Sequence, residues 1–392
     1  MTITGMRNHK ASKFNILLIS MLFTNGLIIN FTGCREPYDA EINEKVDAIA
    51  VDGSLIKGRE KQTVIITRSA PLNDISYLPV TDCQVKIVDE LNNEFHFTEE
   101  SDGDYTALID DNLLVNNRKY KLVFVTPDGN VYESGFETII ETAPVDSVYP
   151  VRETLYSSSE QQDVDIIRFY LDLKAPATGS RYYRWELTET YETHSFYHID
   201  YIFDGEEVIM TPDLRDSVYY CWITSGINEL YSSNTVNLII NEKKKIPLNH
   251  HLSTSRKIAI KYSLLINQYA LNEKAYDYWH QKKIEIQESG GLYTVQPGQG
   301  TSNIRNIHDD AEKVLGYFWV SSLSEKRIFY EDPFSYRRPF GFCELDTFLP
   351  PYPGPFPIYL TGDSAFGPLY IADPECFDCR LIGGSLEKPA FW

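Results

Sequence analysis

The chain has 392 residues and carries 36 Lys and Arg against 56 Asp and Glu, so its formal net charge at pH 7 is −20. This acidic balance argues against binding to nucleic acid or to anionic lipid head groups, because both attract basic surfaces. With 27 Tyr and 20 Phe beside many Val, Ile and Thr, the composition is typical of a globular, mainly β protein.

The N-terminal segment has the plan of a secretory signal peptide, in which a basic head precedes an apolar run. The head contains no acidic residue and is formed by Arg7, Lys10 and Lys13. The apolar run ends in FTGC at Cys34, which resembles a bacterial lipobox. In signals of that kind the cysteine becomes the first residue of the mature chain and carries the lipid. We therefore predict a signal peptide over residues 1–33, lipidation at Cys34 and a tether over residues 34–46.

Such a signal predicts a lipid-anchored protein beyond the inner membrane. Glu36, Asp39 and Glu41 soon after Cys34 resemble the export signals of surface lipoproteins, so the cell surface is the expected location and the periplasmic face is the alternative. Acyl chains, and not a charged surface, would hold it there, since removal of the basic head takes the net charge from −20 to −23. The alternative is a transmembrane anchor with a chance cysteine, because the apolar run is long enough to span a bilayer. Its three asparagines and the Gly-Cys ending favour cleavage.

The first predicted domain spans residues 47–142. Short alternating segments such as QTVIITRS and CQVKIVDE follow one another, separated by the hairpin pairs Asn92-Asn93, Asp102-Gly103 and Asp128-Gly129. We expect an immunoglobulin-like or carboxypeptidase-regulatory-like β-sandwich. Cys83 opens one of the strands without a cysteine nearby, so its predicted role is that of a small buried hydrophobe.

The second predicted domain spans residues 143–392, and we expect a larger fibronectin-III-like β-sandwich with one inserted helix. Helical spacing near residues 271–289 is set by Leu271, Ala275, Tyr278, Trp279 and Ile286. Asn272 can cap the start of this helix and Gly290 can end it. From Ser335 the chain is irregular, and its run PPYPGPFP predicts an extended loop.

Aromatic residues give the candidate ligand or partner surface. Tyr183 and Trp185 are two residues apart on a predicted strand, so they share one of its faces. Tyr352 and Phe356 lie in the proline-rich run. Exposed aromatic rings supply a large contact area at low entropy cost, as in sugar stacking or protein docking. For the strand pair, packing in the core is the competing interpretation.

The common catalytic signatures are absent, because the chain contains no GxSxG, HExxH, Walker loop or GxGxxG. His194 and His198 form HxxxH, but the flanking residues predict strand or loop, and no zincin glutamate accompanies them. The acidic residues of the first domain lack the spacing of a calcium loop. We therefore predict no catalytic residues, no metal site and no cofactor.

A series of motifs runs through the mature chain. It comprises Pro37-Tyr38, Val51-Asp52-Gly53, Cys221-Trp222, Tyr262-Ser263, Gln268-Tyr269-Ala270-Leu271, Tyr278-Trp279, Gln296-Pro297, Asn303-Ile304, Val314-Leu315-Gly316-Tyr317-Phe318, Lys326-Arg327-Ile328, Cys376-Phe377-Asp378-Cys379 and Lys388-Pro389-Ala390-Phe391-Trp392. In this order the motifs resemble the Bacteroidota lipoprotein family catalogued as domain of unknown function 4249. Ser302 and Cys83 depart from the pattern, where glycine and alanine are expected.

The resemblance implies a role but no chemistry. Members of that family are often encoded beside SusC-like TonB-dependent transporters of the outer membrane. It therefore implies a non-enzymatic lipoprotein that helps such a transporter in substrate capture, uptake or complex assembly. The alternative is a surface enzyme that hydrolyses glycans or peptides, which the lack of a recognisable nucleophile or metal site disfavours.

Four cysteines remain for the second domain once Cys34 is lipidated and Cys83 is assigned to the first. They are Cys221, Cys343, Cys376 and Cys379, and they allow three pairings. Beyond the inner membrane thiols are commonly oxidised. We predict two disulfides that hold the proline-rich tail near Cys221, and a zinc site built from all four cysteines is the alternative.

Overall fold

A computed structural model describes residues 48–69, 76–288, 302–331, 343–362 and 367–392. All of them belong to one compact unit that spans Val46–Trp392. The predicted signal peptide, Cys34 and the tether lie outside the described residues. No helix of the described ranges is long and apolar enough to cross a membrane.

The described chain is mainly β. The first nine strands are β1 (Ile49–Lys57), β2 (Lys61–Arg68), β3 (Leu78–Pro79), β4 (Gln84–Asp89), β5 (Glu94–Ser101), β6 (Asp104–Leu108), β7 (Lys119–Val125), β8 (Val131–Ser134) and β9 (Glu137–Thr138). The later strands are β10 (Ser147–Ser157), β11 (Gln162–Lys174), β12 (Tyr182–His194), β13 (Tyr201–Phe203), β14 (Val208–Met210), β15 (Tyr220–Asn234), β16 (Glu242–Leu252), β17 (Tyr262–Leu271), β18 (Ile304–Asn306), β19 (Leu315–Tyr330), β20 (Asp346–Thr347), β21 (Ile358–Leu360) and β22 (Tyr370–Ile371).

The α-helix α1 covers Glu273–Glu288, and short 3-10 helices occupy Asp111–Leu113, Arg256–Ile258 and Pro374–Cys376. The predicted helix is therefore confirmed. Its predicted cap is also correct, because the Asn272 side-chain oxygen accepts a hydrogen bond of 2.9 Å from the backbone N–H of Ala275.

The largest sheet follows the strand order β15-β12-β17-β19-β1-β2-β6-β5-β4-β7-β8-β18. The strands from β1 to β18 in this order contribute to a first core. Alternate residues of each strand point into it, such as Val64 and Ile66 on β2 and Tyr120, Leu122 and Phe124 on β7. This alternation follows from the two-residue period of a strand, which sends successive side chains to opposite faces.

Strand β19 completes the first core from the far end of the chain. It pairs with β1 in parallel, from Ala50 opposite Leu315 to Lys57 opposite Ser322. Gly316 makes this approach possible: its φ is +94°, and a Cβ there would lie 1.8 Å from the Val51 carbonyl oxygen. The first core thus includes residues on both sides of the predicted boundary at 142/143.

A second core lies between two sheets. The three-stranded sheet β10-β11-β16 supplies residues such as Phe169 and Leu248, and β12 and β17 supply Trp185 and Tyr262. The rings of Phe169 and Tyr262 stack with their centroids 5.2 Å apart. Two sheets that share one core form a sandwich, so the prediction of a mainly β chain with β-sandwich packing and one helix is confirmed.

Helix α1 covers the other face of β12, β17, β19 and β1. Ala275 and Tyr276 of the helix pack with Tyr269 of β17 and with Tyr317 and Trp319 of β19. The central strands of the large sheet therefore have an apolar layer on both faces. Cys83 is buried and unpaired, as expected.

Candidate functional site

Tyr183 and Trp185 lie in the second core, so the prediction that they form a ligand or partner surface is wrong. Tyr183 is 0% exposed and Trp185 is 1% exposed. The Trp185 indole donates a hydrogen bond of 2.9 Å to the Gln268 side-chain oxygen, and the Tyr183 hydroxyl donates to the Ser180 carbonyl. Their polar atoms are satisfied inside the protein, which is the normal arrangement for buried aromatic residues.

The opposite face of β12 carries a buried cation that the sequence pattern did not single out. The Arg184 guanidinium carbon lies 3.9 Å from the Trp279 ring centroid and 4.9 Å from that of Trp319. One of its nitrogens, Nη1, lies 3.1 Å from Oε1 of Glu186. The flat guanidinium thus stacks between α1 and the sheet, with a carboxylate for charge balance.

The C-terminal tail is held by two disulfides, as predicted. Cys221 of β15 pairs with Cys379, and Cys343 pairs with Cys376. The CxxC therefore sends its two sulfurs to two different partners. One disulfide ties the tail to the large sheet, and the other ties two segments of the tail to each other.

Segments of the tail line a cavity of about 720 Å³ that is open to solvent, which we call the tail cavity. Its walls are the proline-rich run, the segment that follows Cys343, and the segment around the CxxC. Aromatic lining comes from Tyr352, Phe356 and Tyr359, and carboxylates come from Glu344, Asp346, Asp373 and Asp378. The Cys343–Cys376 disulfide covalently joins two of these walls. A covalent link of this kind limits how far the two walls can move apart.

Tyr352 and Phe356 are partly exposed but held in place. Their exposed fractions are 39% and 46%. The Phe356 ring packs edge-on against Phe203, with centroids 5.6 Å apart, and the Tyr352 ring lies 6.2 Å from that of Phe348. Both residues of the proline-rich run that were predicted to form a surface therefore line the tail cavity.

The carboxylates differ in their environment. Asp378 is buried, which opposes its ionisation, but hydrogen bonds from the Arg380 guanidinium and backbone N–H outweigh this and lower the pKa of the carboxyl below its usual value. Glu344, Asp346 and Asp373 are exposed. No Lys, Arg or His belongs to the described lining. The cavity thus offers hydrogen-bond acceptors and aromatic faces.

His194 and His198 both pack against the Tyr219 ring but lie next to different carboxylates. Nε2 of His194 lies 2.7 Å from Oε1 of Glu192, and Nδ1 of His198 lies 2.8 Å from Oδ1 of Asp216. Each imidazole has its own carboxylate. Across the ranges that the structure describes, no group of three or more His, Cys, Asp or Glu residues is placed to hold a metal ion.

Comparison with protein-family models gives a match that covers most of the chain. The model described as Domain of unknown function (DUF4249) matches residues 35–327. The chain belongs to this family. A comparison with curated proteins finds no match. The region matched by the family model contains both cores, α1 and Cys221, and it ends before the tail cavity.

Proposed function

We propose that this chain is a non-enzymatic, lipid-anchored binding protein of the outer membrane that captures a ligand in the tail cavity. In this proposal it passes the ligand to a SusC-like TonB-dependent transporter. The observation that carries it is the tail cavity itself, a concave site with aromatic walls, two of which are joined covalently by the Cys343–Cys376 disulfide. Preorganisation of this kind reduces the entropic cost of binding.

The lining favours one ligand chemistry. Carboxylates and tyrosine oxygens accept hydrogen bonds, and Tyr352 and Phe356 offer ring faces to apolar surface. An oligosaccharide without acidic groups combines hydroxyl donors with apolar C–H faces and meets no repulsion from Glu344, Asp346 and Asp373. We therefore propose a neutral or basic oligosaccharide as the ligand.

The proposed location is supported by two independent features. The N-terminal basic head, apolar run and lipobox-like ending at Cys34 have the plan of a lipoprotein signal. The two disulfides of the tail suit a compartment where thiols are oxidised. The surface and periplasmic faces of the outer membrane both meet this condition, and protease treatment of intact cells distinguishes them.

Binding and partnership are tested separately. A glycan array probed with the purified protein is expected to identify ligands. Their affinity is expected to fall at least tenfold in the double variant Tyr352→Ala/Phe356→Ala. The control is Tyr156→Ala, an exposed tyrosine outside the cavity lining, which should bind as the parent does. Affinity purification of the tagged lipoprotein from its own membranes is expected to recover a TonB-dependent transporter in stoichiometric amount. A protein that purifies alone and cleaves a glycan or peptide would be a surface hydrolase, which contradicts the proposal.

A further inference from the structure

The turn between β15 and β16 exposes an apolar surface. Residues 236–240, which we call the apolar tip, are all exposed, and four of the five are aliphatic. Ile239 is 99% exposed and Ile240 is 63% exposed, and Val236 and Leu238 lie beside them. Single exposed aliphatic residues are ordinary on soluble proteins, but a contiguous apolar group marks a contact with another phase or molecule.

The base of the apolar tip is fixed by buried polar residues. The Thr235 hydroxyl donates a hydrogen bond of 2.6 Å to the Asn241 side-chain oxygen, and Asn241 Nδ2 donates to the Pro176 carbonyl at 3.0 Å. Arg181 Nη1 donates to the carbonyls of Thr235 and Leu238 at 3.0 and 2.9 Å. The turn therefore presents its aliphatic side chains from an ordered backbone.

Basic residues follow the apolar tip on β16 and lie on the neighbouring strand, although the chain as a whole has a net charge of −20. Lys243, Lys244 and Lys245 follow it on β16, and Lys174 lies opposite Glu242 on the neighbouring β11. All four lysines are exposed. Three carboxylates lie among these lysines. Lys244 Nζ is 3.3 Å from Oε1 of Glu242, Lys245 Nζ is 3.6 Å from Oε1 of Glu153, and the Lys245 backbone N–H donates a hydrogen bond to Asp172. With Arg181 at the base of the tip, these residues carry five positive and three negative charges, a balance opposite in sign to the net charge of the whole chain.

We propose that the apolar tip inserts into a lipid bilayer that contains anionic head groups. Its aliphatic side chains would enter the acyl region, and the lysine stems would extend along it with their ammonium groups at the level of the head groups. This local arrangement qualifies the expectation, drawn from net charge, that the protein avoids anionic lipid.

The composition of the tip favours lipid over a protein partner. Protein interfaces are depleted of lysine, and their energetic centres are enriched in Trp, Tyr and Arg, whereas Leu and Val are under-represented there. The apolar tip has the reverse composition: aliphatic residues at its centre and lysines at its rim. This inference does not depend on the tail cavity or its ligand.

The test places a fluorescent reporter on the tip of the full-length lipoprotein. Ile239→Cys, in a Cys83→Ala background, is labelled with an environment-sensitive dye and reconstituted in phosphatidylethanolamine–phosphatidylglycerol vesicles. We expect a blue-shifted emission and strong quenching by nitroxides on the lipid acyl chains. The matched control is Ser158→Cys, an exposed polar residue in the β10–β11 turn, whose label is expected to stay in water.

Charge reversal of Lys174 and Lys244 to Glu is expected to reduce the quenching at position 239 at least twofold with little change in melting temperature, because both side chains are exposed. The proposal is overturned if the label at 239 is as accessible to water as the one at 158. It is also overturned if that label becomes protected only when a purified transporter is added, because the tip would then be a protein-docking element.

Discussion

Gly384 lies directly against the disulfide that attaches the tail to the large sheet. A Cβ built on Gly384 would lie 2.5 Å from the Cβ of Cys221 and 2.8 Å from its sulfur. The same Cβ would lie 2.6 Å from the Cys379 carbonyl oxygen. Gly384, the second glycine after the CxxC, is therefore a packing requirement of the Cys221–Cys379 bond.

Gly384→Ala is expected to prevent close packing at this disulfide. Overpacking of a tight site costs about 1–3 kcal/mol, so we expect a lower melting temperature and an increased fraction of free Cys221 and Cys379 thiols. Mass spectrometry after digestion without reduction measures that fraction. The control is Gly367→Ala, where an added Cβ meets nothing within 4 Å. Equal disulfide formation in both variants would contradict the assignment.

The two disulfides are expected to contribute differently. Cys221 and Cys379 are 158 residues apart in sequence, and Cys343 and Cys376 are 33 apart. By the chain-entropy relation, the longer loop stabilises the fold by about 5 kcal/mol and the shorter one by about 4 kcal/mol. Paired Cys→Ser variants, compared by thermal melting, should both be destabilised, with the larger loss for Cys221/Cys379.

The shorter loop should matter more to the tail cavity, because it joins two of the cavity walls. We expect the Cys343→Ser/Cys376→Ser variant to lose the proposed glycan binding under conditions where circular dichroism shows that the large sheet remains folded. Retention of full affinity in that variant would show that the disulfide does not shape the site.

Replacement of Arg184 should loosen the contact between α1 and the sheet. Arg184→Ala removes a stacked guanidinium from between Trp279 and Trp319, and we expect a loss of about 2–3 kcal/mol together with a weaker near-UV signal from the tryptophans. Arg184→Lys keeps the charge but not the flat stacking group, so it should recover less than half of the loss. The control is Arg152→Ala, because its ion pair with Asp165 is exposed and should contribute less than about 0.5 kcal/mol.

Glu189 should make stability depend on pH in the acidic range. Burial opposes its ionisation, but hydrogen bonds from His251 and Lys257 outweigh this and lower the pKa of the carboxyl to about 2. A depressed carboxyl pKa contributes stability that is complete above the unfolded value near 4.5 and is lost as the pH falls towards 2. The contribution is about 3 kcal/mol.

Thermal melting between pH 7 and pH 2.5 measures this effect as a difference between variants. Glu189→Gln should be less stable than the parent at pH 7 and should lose less stability on acidification. Glu160→Gln, in the exposed β10–β11 turn, should follow the parent at every pH. Parallel curves for the parent and Glu189→Gln would exclude the carboxylate as the source of the acid sensitivity.

Local sequence signals predicted the local structure. The helix followed from apolar spacing and a capping Asn272. The two disulfides of the tail followed from counting cysteines and from the expectation of an oxidising compartment. Tyr352 and Phe356 could be placed at a surface because the prolines around them cannot take part in a sheet ladder. Each of these inferences depends on residues close together in the chain.

Other features required long-range information. Alternation along β12 placed Tyr183 and Trp185 on the same face of the strand. It could not tell whether that face is open, and in the structure both faces are covered, one by the sheet β10-β11-β16 and the other by α1. The pairing of Cys376 with Cys343 and of Cys379 with Cys221 was one of three possibilities. The return of β19 to β1 leaves no local trace except Gly316.

The parallel pairing of β1 with β19 has a consequence for the order in which the protein can mature. A growing chain emerges from its N-terminus, so β1 and its neighbours are complete long before Leu315–Ser322 arrive. Until then the edge of β1 has unpaired N–H and C=O groups, and such an edge is a template for association with other chains. A translation product that stops short of β19 would therefore be a candidate for aggregation or degradation, whatever the sequence of its first 140 residues.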